Sequence, residues 1–349
     1  MSGALRVVVH EATRTGAPIV LLALLRHSRR TLDLPVDVRI VHEGPLSSAL
    51  RQQGDGPSDL PPLAVIVNSC LSAREVLGAP PGTPTAVYVH EAGATIRGLA
   101  SDCRAGLRAA SQVWAVSAGA VEDLVDCGVA RARIRLLPPV VTTPRVPAAA
   151  AIASHRAALG ADRSIPLLLG CGEAAWRKGP DLWVATIAEV RRRRKVAAAW
   201  VGRRFAGEIA LLDHDTRTLG LDPVVRWIGE VDRTAPFLVA ADVVVMTSRD
   251  DPMPLVPMEA ALAGTPTAAF AVGGLADLGD ASAVATATYP DTVALADEIE
   301  SLLDDSERRR DLVRRCAVLA ADRSVSEIGP LFDAAVTDLV SADQRRTAG

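Results

Sequence analysis

The chain has 349 residues, 49% of them hydrophobic and 23% charged, with a formal net charge of −3. This length exceeds the roughly 250–300 residues at which one hydrophobic core stops growing, so two domains are expected. The near-neutral charge argues against a nucleic-acid-binding protein, and the five scattered cysteines lack the spacing of a zinc site or a disulfide framework.

Short apolar runs alternate with longer amphipathic stretches along the chain, which is typical of βα units and a parallel sheet. In the first half, the pattern predicts helices over 16–30 and 118–127 and strands at 5–10, 36–41, 63–67, 85–90, 112–116 and 133–137. In the second half, it predicts helices over 180–195, 206–220 and 255–264, an all-helical segment over 291–341, and strands at 166–170, 197–201, 224–228, 242–247 and 266–270. The predicted fold class is α/β, with two doubly wound, Rossmann-like domains that face each other across a cleft.

A proline-rich segment divides the two halves, because prolines lack the backbone donor that a helix or a sheet requires. Its prolines are Pro138, Pro139, Pro144 and Pro147. We predict an N-terminal domain over 1–143, a linker over 144–163, a C-terminal domain over 164–325, and a helix and tail over 326–349 that return to the N-terminal domain. Ligands of such sheets bind at the carboxyl ends of the strands.

Three strands of the first half end in the dipeptide His-Glu, at residues 10, 42 and 90. The zinc-protease pattern H-E-x-x-H fails each time, since the residues four positions after the histidines are Arg14, Leu46 and Ala94. His10 and His42 are interpreted as polar strand ends, with a ligand contact as the alternative for each. His90 is the candidate for a ligand contact, because Gly93 permits close approach to the backbone.

A helix start follows the first strand, where Gly16 makes a tight turn and Pro18 suits the first helical turn. The unpaired N–H groups of such a start favour an anion. Gly16 is therefore a candidate anion-binding residue, and an ordinary βα turn is the alternative.

The second half opens with PLLLGCGEAAWRKGPDLWV, which satisfies the dinucleotide pattern G-x-G-x-x-A directly after a strand. Pro180 places the helix start beyond that pattern, so a nicotinamide cofactor is the less favoured interpretation. Arg177 and Lys178 instead suit a diphosphate, because arginine can bond two oxygens and lysine supplies a point charge.

The segment DVVVMTSRDDPMPLVPMEAALAGTPTAAF predicts a strand, a proline-rich loop, a short helix and a strand. Asp251 lies on the loop and Glu259 in the helix, with seven residues between them. A nucleoside diphosphate could set its phosphates against the helix start at Leu255 and Val256, with Glu259 bonding the ribose hydroxyls.

Two charged segments favour ordinary structural interpretations. The sequence Asp213-His214-Asp215 resembles a metal-binding D-x-D but falls within a predicted helix, so no metal site is predicted. The basic run 191–195 closes another predicted helix, where cations are favourable. Contact with an anionic membrane surface is the alternative for this run.

Together these segments resemble glycosyltransferase family 4, whose members are retaining enzymes of GT-B fold. The resemblance covers nearly the whole chain, from HEATRTGAPIVLLALL through VYVHEAG and GCGEAAWRKGPDLW to DDPMPLVPMEAALAGTP. It implies that Glu259 holds the donor ribose and that Asp251 lies against the donor sugar. It further implies that Lys178 and Gly16 lie at the donor diphosphate and His90 near the transferring sugar.

Three positions depart from the pattern of that family. Asp251 replaces the usual glutamate, and Pro254 removes a backbone donor. Glu173 stands where an arginine is common, and Arg177 is the candidate replacement.

The resemblance implies metal-independent transfer of a sugar from a UDP- or GDP-linked donor to an acceptor hydroxyl, with retention and without a cofactor. A saccharide, a lipid-linked molecule and a natural product all remain open as acceptors. A nucleotide-sugar epimerase and a non-catalytic nucleotide-sugar-binding partner are the alternatives. No leader or spanning segment is evident in the sequence, so a cytoplasmic protein with at most peripheral membrane contact and no nucleic-acid partner is expected.

Overall fold

The computed structural model describes residues 3–59, 61–145, 147–162 and 164–347, and side chains as far as residue 341. It divides into two compact units. Unit 1 comprises residues 1–140 and 322–349, and unit 2 comprises residues 141–321. Each unit contains a six-stranded sheet in which every paired strand is parallel. The predicted class of two Rossmann-like α/β domains is therefore confirmed.

Unit 1 has the strand order β2-β1-β3-β4-β5-β6. The strands are β1 (Leu5–Glu11), β2 (Val36–His42), β3 (Ala64–Asn68), β4 (Thr85–Val89), β5 (Gln112–Ala115) and β6 (Ile134–Leu136). The α-helices are α1 (Gly16–Thr31), α2 (Ser47–Arg51), α3 (Gly93–Arg97), α4 (Ser101–Ala109) and α5 (Ala118–Asp126), and two 3-10 helices span Cys70–Gly78 and Arg131–Arg133. Every residue of β3 and β4 is buried, which explains why these strands are apolar without alternation.

Unit 2 has the strand order β12-β11-β10-β7-β8-β9. The strands are β7 (Leu167–Cys171), β8 (Ala197–Val201), β9 (Val225–Gly229), β10 (Val243–Met246), β11 (Thr267–Phe270) and β12 (Ala285–Ala287). The α-helices are α6 (Ala149–Ala158), α7 (Pro180–Arg193), α8 (Ala206–Thr218), α9 (Ala235–Ala240), α10 (Val256–Leu262), α11 (Gly274–Asp280), α12 (Thr292–Asp304) and α13 (Ser306–Ala321), with a 3-10 helix at Trp176–Lys178. One last helix, α14 (Val325–Thr347), belongs to unit 1.

The predicted linker 144–163 is not an extended connection. It contains α6, and the segment belongs to unit 2, which begins at Val141. Arg156 of α6 donates to the carboxylate of Asp242 at 3.0 Å and to the carbonyl oxygen of Ala240. The run of alanines is a good helix former, and these bonds attach the helix to its unit. Positions 146 and 163 of the predicted linker lie outside the described residues.

The C-terminal segment is divided differently from the prediction, because unit 2 ends at residue 321 instead of 325. Helix α14 packs on the rest of unit 1 through Phe332, whose ring lies 5.7 Å from that of Trp114. Asp333 accepts hydrogen bonds from Ser28 and Thr31 of α1, each at 2.5 Å. Helix α14 thus completes the core of unit 1, which begins with β1 and α1.

Candidate functional site

The chain reverses its direction of winding between β7 and β10 of unit 2, which are neighbours in the sheet. Doubly wound sheets bind ligands at such a switch point, outside the carboxyl ends of the strands. The loops that follow β7 and β10 are bonded to each other there. The backbone N–H of Arg249 donates to the Arg177 carbonyl at 2.8 Å, and the Thr247 hydroxyl donates to the Gly179 carbonyl at 2.7 Å.

The loop after β7 turns at Gly179, whose φ of 62° lies in the left-handed region. A Cβ atom at this position would lie 2.2 Å from the Thr247 carbonyl oxygen. Helix α7 begins at the next residue, Pro180, as the sequence predicts. The helix therefore starts beyond the G-x-G-x-x-A pattern, unlike the helix of a nicotinamide-binding fingerprint.

Lys178 and Asp251 form a buried ion pair between these two loops. The Lys178 Nζ lies 2.5 Å from the Asp251 Oδ2, and the two side chains are 12% and 5% exposed. Ser248 donates to the same carboxylate at 3.3 Å, and Arg177 Nη1 lies 3.7 Å from its other oxygen. Arg177, Lys178 and Asp251 are thus brought together, with both carboxylate oxygens of Asp251 facing cations.

Burial and charge act against each other in this pair. Burial lowers the pKa of the Lys178 amine below its ordinary value, although the nearby Asp251 favours the charged form. Burial also opposes ionisation of Asp251, but attraction to Lys178 and Arg177 outweighs it and holds the pKa of that carboxyl below its ordinary value. Around the Asp251 carboxylate the two loops therefore set two cations, Lys178 and Arg177, which could also bond the oxygens of an anion.

Lysine is rare in this chain, which provides a signal that the sequence prediction did not use. Only Lys178 and Lys195 are lysines among 38 basic residues. The Lys178 stem runs past Gly172, where an added Cβ would lie 3.3 Å from its Cε atom. A long, unbranched stem with a compact charge passes this constriction, whereas a planar guanidinium is wider.

Glu259 lies on the first turn of α10, and its carboxylate accepts a hydrogen bond from the Thr142 hydroxyl at 3.3 Å. Burial raises the pKa of Glu259 to about 7. Burial raises the pKa of the Cys171 thiol at the end of β7, and two charges lie close enough to affect it: Glu259 raises this pKa further and Lys178 lowers it. The helix start that carries Glu259 and the loop that carries Lys178 therefore meet at the same end of the sheet.

The predicted backbone contacts lie beside Glu259. Leu255 immediately precedes α10, and Val256 is its first residue. The helix is shorter than the predicted 255–264 and ends at Leu262, where Ala263 and Gly264 close its last turn. Pro257 suits the first turn because the backbone N–H that it lacks would have no partner within the helix.

Arg203 is a cation near the loop after β7 that the sequence prediction missed. It donates to the carboxylate of Glu173 at 2.7 Å, and its carbonyl accepts from the backbone N–H of Ala174. Glu173 occupies the position at which glycosyltransferase family 4, the family that the sequence resembles, commonly has an arginine. The loop after β8 thus supplies a guanidinium beside the residue that departs from the family pattern.

In unit 1, Asn68 joins two predicted residues whose positions in the sequence are far apart. The Asn68 amide nitrogen donates to the Ala17 carbonyl at 3.3 Å, directly after Gly16. Its amide oxygen lies 2.8 Å from Nε2 of His90. An amide oxygen only accepts, so Nε2 carries the proton and Nδ1 keeps a lone pair. His90 and the start of α1 are thereby held together.

The His90 ring is neutral over the ordinary pH range, because burial lowers its pKa to about 4. The Tyr88 ring packs against it, with 4.1 Å between ring centroids. The Tyr88 hydroxyl donates to the carbonyl of Leu137 at 3.1 Å and to that of Pro138 at 3.3 Å. His90 is therefore suited to accept a hydrogen bond at Nδ1 and unsuited to supply positive charge.

The glutamates of the three His-Glu dipeptides have separate bonding partners. Glu91 accepts from the backbone of Cys70 and His90 and from the Ser69 hydroxyl. Glu11 accepts from Thr15 at 3.4 Å, and Glu43 pairs with Arg51 at the surface.

His10 and His42, the histidines of the other two dipeptides, lie near each other at the carboxyl ends of β1 and β2. Nδ1 of His10 lies 2.7 Å from the Ser72 hydroxyl, and the rings of His10 and His42 lie 5.2 Å apart. His10 thus contacts the 3-10 helix Cys70–Gly78, and the interpretation of His10 and His42 as polar strand ends stays a prediction.

The two charged segments interpreted as structural carry ion pairs within unit 2. Asp213 of the D-x-D sequence pairs with Arg204 at 2.5 Å. Arg193 and Arg194 of the basic run pair with Asp297, Glu300 and Asp304 of α12. Among the described residues, no group of three or more histidine, cysteine, aspartate or glutamate residues is placed to hold a metal ion.

Comparison with known proteins gives a family match for the part of the chain that carries this site. Residues 165–305 match the family described as glycosyl transferases group 1. This match covers less than half of the chain. The matched residues lie within unit 2 and include Lys178, Asp251 and Glu259, so the glycosyltransferase resemblance seen in the sequence is confirmed.

Two curated relatives are D-inositol 3-phosphate glycosyltransferases. The protein from Xylanimonas cellulosilytica is 36% identical over 206 residues, which are 55% of this chain and 48% of that relative. The protein from Kineococcus radiotolerans is 33% identical over 216 residues, which are 56% of this chain and 49% of that relative. The matches thus span about half the length of these relatives.

Two solved structures resemble nearly the whole chain. HepE of Anabaena, solved with UDP and glucose, has a TM-score of 0.83 at 17% identity, and the match covers 96% of this chain and 100% of HepE. Sucrose-phosphate synthase of Thermosynechococcus elongatus has a TM-score of 0.78 at 20% identity, covering 97% and 100% of the two chains. These likenesses confirm the predicted GT-B fold, with its two Rossmann-like domains.

No helix in the described part of the chain has both the length and the apolar character needed to cross a membrane.

Proposed function

We propose that this protein transfers a sugar from a nucleoside diphosphate sugar to an acceptor hydroxyl, with retention at the anomeric carbon. The observation that carries the proposal is the meeting of Lys178, Arg177 and Glu259 at the switch point of a group 1 glycosyltransferase domain. Two cations suit a diphosphate, and a carboxylate beside them suits the two ribose hydroxyls.

In this proposal the protein positions the donor and stabilises the charge on the departing diphosphate. Lys178 and Arg177 bond its oxygens, with the backbone at Leu255 and Val256 beside them. Such charge-assisted bonds contribute about 1.5–3 kcal/mol each. Asp251 lies at the cation pair and is retained as a candidate catalytic residue.

Gly16 and His90 of unit 1 are retained in the proposal as the diphosphate glycine and the residue near the transferring sugar. Support comes from Asn68, which bonds both His90 and the first turn of α1. The neutral His90 ring would accept a hydrogen bond from a sugar hydroxyl at Nδ1. The acceptor is a molecule with a free hydroxyl, and the donor sugar is linked to UDP or GDP without a metal or cofactor. A cytoplasmic location is part of the same proposal.

The first experiment is a thermal-shift screen against UDP-, GDP-, ADP- and dTDP-sugars. A ligand at 100 times its dissociation constant adds about 2.7 kcal/mol to the free energy of unfolding. Lys178→Ala should abolish the shift caused by the preferred donor, whereas Lys195→Ala is a matched control because Lys195 is exposed. An unchanged donor shift in Lys178→Ala would contradict the assignment.

The second experiment follows the products. Transfer requires an acceptor, so an acceptor panel should give a glycoside whose anomeric configuration, read by NMR, equals that of the donor. A change of sugar stereochemistry without any acceptor would identify an epimerase instead. Donor binding without turnover over the whole panel would identify a non-catalytic partner.

A further inference from the structure

Glu259 makes one side-chain contact that the proposed function does not use. Its carboxylate accepts the hydroxyl hydrogen of Thr142, a residue that lies 117 positions away in the sequence. Under the proposed function, on which this inference rests, the same carboxylate bonds the hydroxyls of the donor ribose. Thr142 therefore presents to Glu259 the chemical group that a ribose would present.

Thr142 lies close to the boundary between the two units. The first segment of unit 1 ends at Val140, so Thr142 is the second residue of unit 2. The preceding residue, Val141, is 4% exposed and packs in one hydrophobic cluster with Met258, the neighbour of Glu259. The start of unit 2 is thus attached to α10 by an apolar anchor at Val141 and by a hydrogen bond at Thr142.

The anchor and the hydrogen bond differ in what a nucleotide can replace. Val141 is held by apolar contacts that do not involve the Glu259 carboxylate. The Thr142 hydroxyl is exposed and donates at 3.3 Å, so it can leave the carboxylate without opening the core. A ribose hydroxyl at Glu259 requires only that the Thr142 hydroxyl move aside.

We propose that Thr142 is a built-in competitor of the donor ribose, which occupies Glu259 when the site is empty and returns to it when the nucleotide leaves. The competing bond weakens nucleotide binding, and it favours release of the nucleoside diphosphate after transfer. Release of product limits turnover in many enzymes, so a residue that opposes retention of the nucleotide assists the reaction cycle.

The test is isothermal titration of UDP and GDP into the wild type and three variants. Thr142→Val removes the hydroxyl and keeps the shape, and Thr142→Ser keeps the hydroxyl. Thr143→Val is the matched control, because Thr143 is the neighbouring exposed threonine. A typical hydrogen bond corresponds to a change in affinity of about three- to tenfold. Thr142→Val should tighten binding of the preferred nucleotide by that factor, and the other two variants should stay within twofold.

A second titration separates competition from a structural effect. The 2′,3′-dideoxy form of the preferred nucleotide has no ribose hydroxyl for Glu259, so Thr142→Val should change its affinity by less than twofold. An equal gain for both nucleotides would overturn the proposal, as would unchanged or weaker binding of the normal nucleotide by Thr142→Val. If neither the wild type nor Thr142→Val binds UDP or GDP, the proposed function and this inference both fail.

Discussion

The buried pair Lys178–Asp251 leads to a quantitative prediction about unit 2. The N···O distance is 2.5 Å, and the side chains are 12% and 5% exposed. Removing one partner of a buried pair leaves the other charge unpaired and costs about 3–5 kcal/mol. Asp251→Asn should therefore lower the free energy of unfolding of unit 2 by about 3 kcal/mol. For a unit of this size, that is a fall in Tm of roughly 6–12 °C.

The assay is a double-mutant cycle followed by thermal and urea unfolding, with Asp251→Asn, Lys178→Met and their combination. The coupling energy should be about 1.5 kcal/mol or more, because the double variant leaves neither charge of the pair buried without its partner. Asp181→Asn is the control, since that side chain is also paired with an arginine but is 46% exposed. This control should cost less than about 1 kcal/mol.

The result that would refute the reasoning is a loss of less than 1 kcal/mol in Asp251→Asn, or a coupling energy near zero. The pH dependence provides an independent check. Asp251 has a lowered pKa in the folded protein, so its contribution is complete above the unfolded pKa and is lost as the pH falls through the folded value. The Tm difference between wild type and Asp251→Asn should therefore shrink in acid.

Three further predictions concern other titratable groups. The pKa of Glu259 is about 7 in the folded protein and 4.5 in the unfolded chain, so its buried charge destabilises the fold more as the pH rises. Glu259→Gln should therefore raise Tm more at pH 8 than at pH 5, and equal shifts would contradict the raised pKa. His90→Gln should lower kcat by about ten- to a hundredfold, and by the same factor at pH 6 and pH 8, because the His90 ring is neutral at both; a pH-dependent factor would indicate a charged ring. Asp333→Ala should cost about 3 kcal/mol in urea unfolding, because it removes two hydrogen bonds and the contact with His27 that join Asp333 to α1. The exposed Asp338→Ala should cost under 0.5 kcal/mol; equal costs would mean that the contacts of Asp333 do not hold α14.

The sequence predicted the strands well because buried parallel strands are continuous apolar runs. All eleven predicted strands are present, with ends displaced by no more than two residues. The one strand that was not predicted, β12, has only three residues, Ala285–Ala287, and alanine has little preference for a strand. The helix α6 was missed because nearby prolines dominated the interpretation, although the alanine run favours a helix.

The candidate site was predictable where charged residues follow strands directly. Lys178 and Asp251 come from the loops after β7 and β10, and neighbouring parallel strands bring such loops to one edge of the sheet. That Asp251 would bond Lys178 was not predictable, because it depends on how far each side chain reaches. Asn68, Thr142 and Arg203 were missed for another reason: each acts through tertiary contacts, and none belongs to a local motif.

The division of the chain has a consequence for folding during synthesis. Unit 2 is continuous in the sequence, whereas unit 1 needs both residues 1–140 and the helix that carries Phe332 and Asp333. A ribosome therefore releases all of unit 2 before the last piece of unit 1 emerges. Until then the face of α1 that α14 covers is without its native partner, and such transiently exposed apolar surface promotes aggregation of nascent chains.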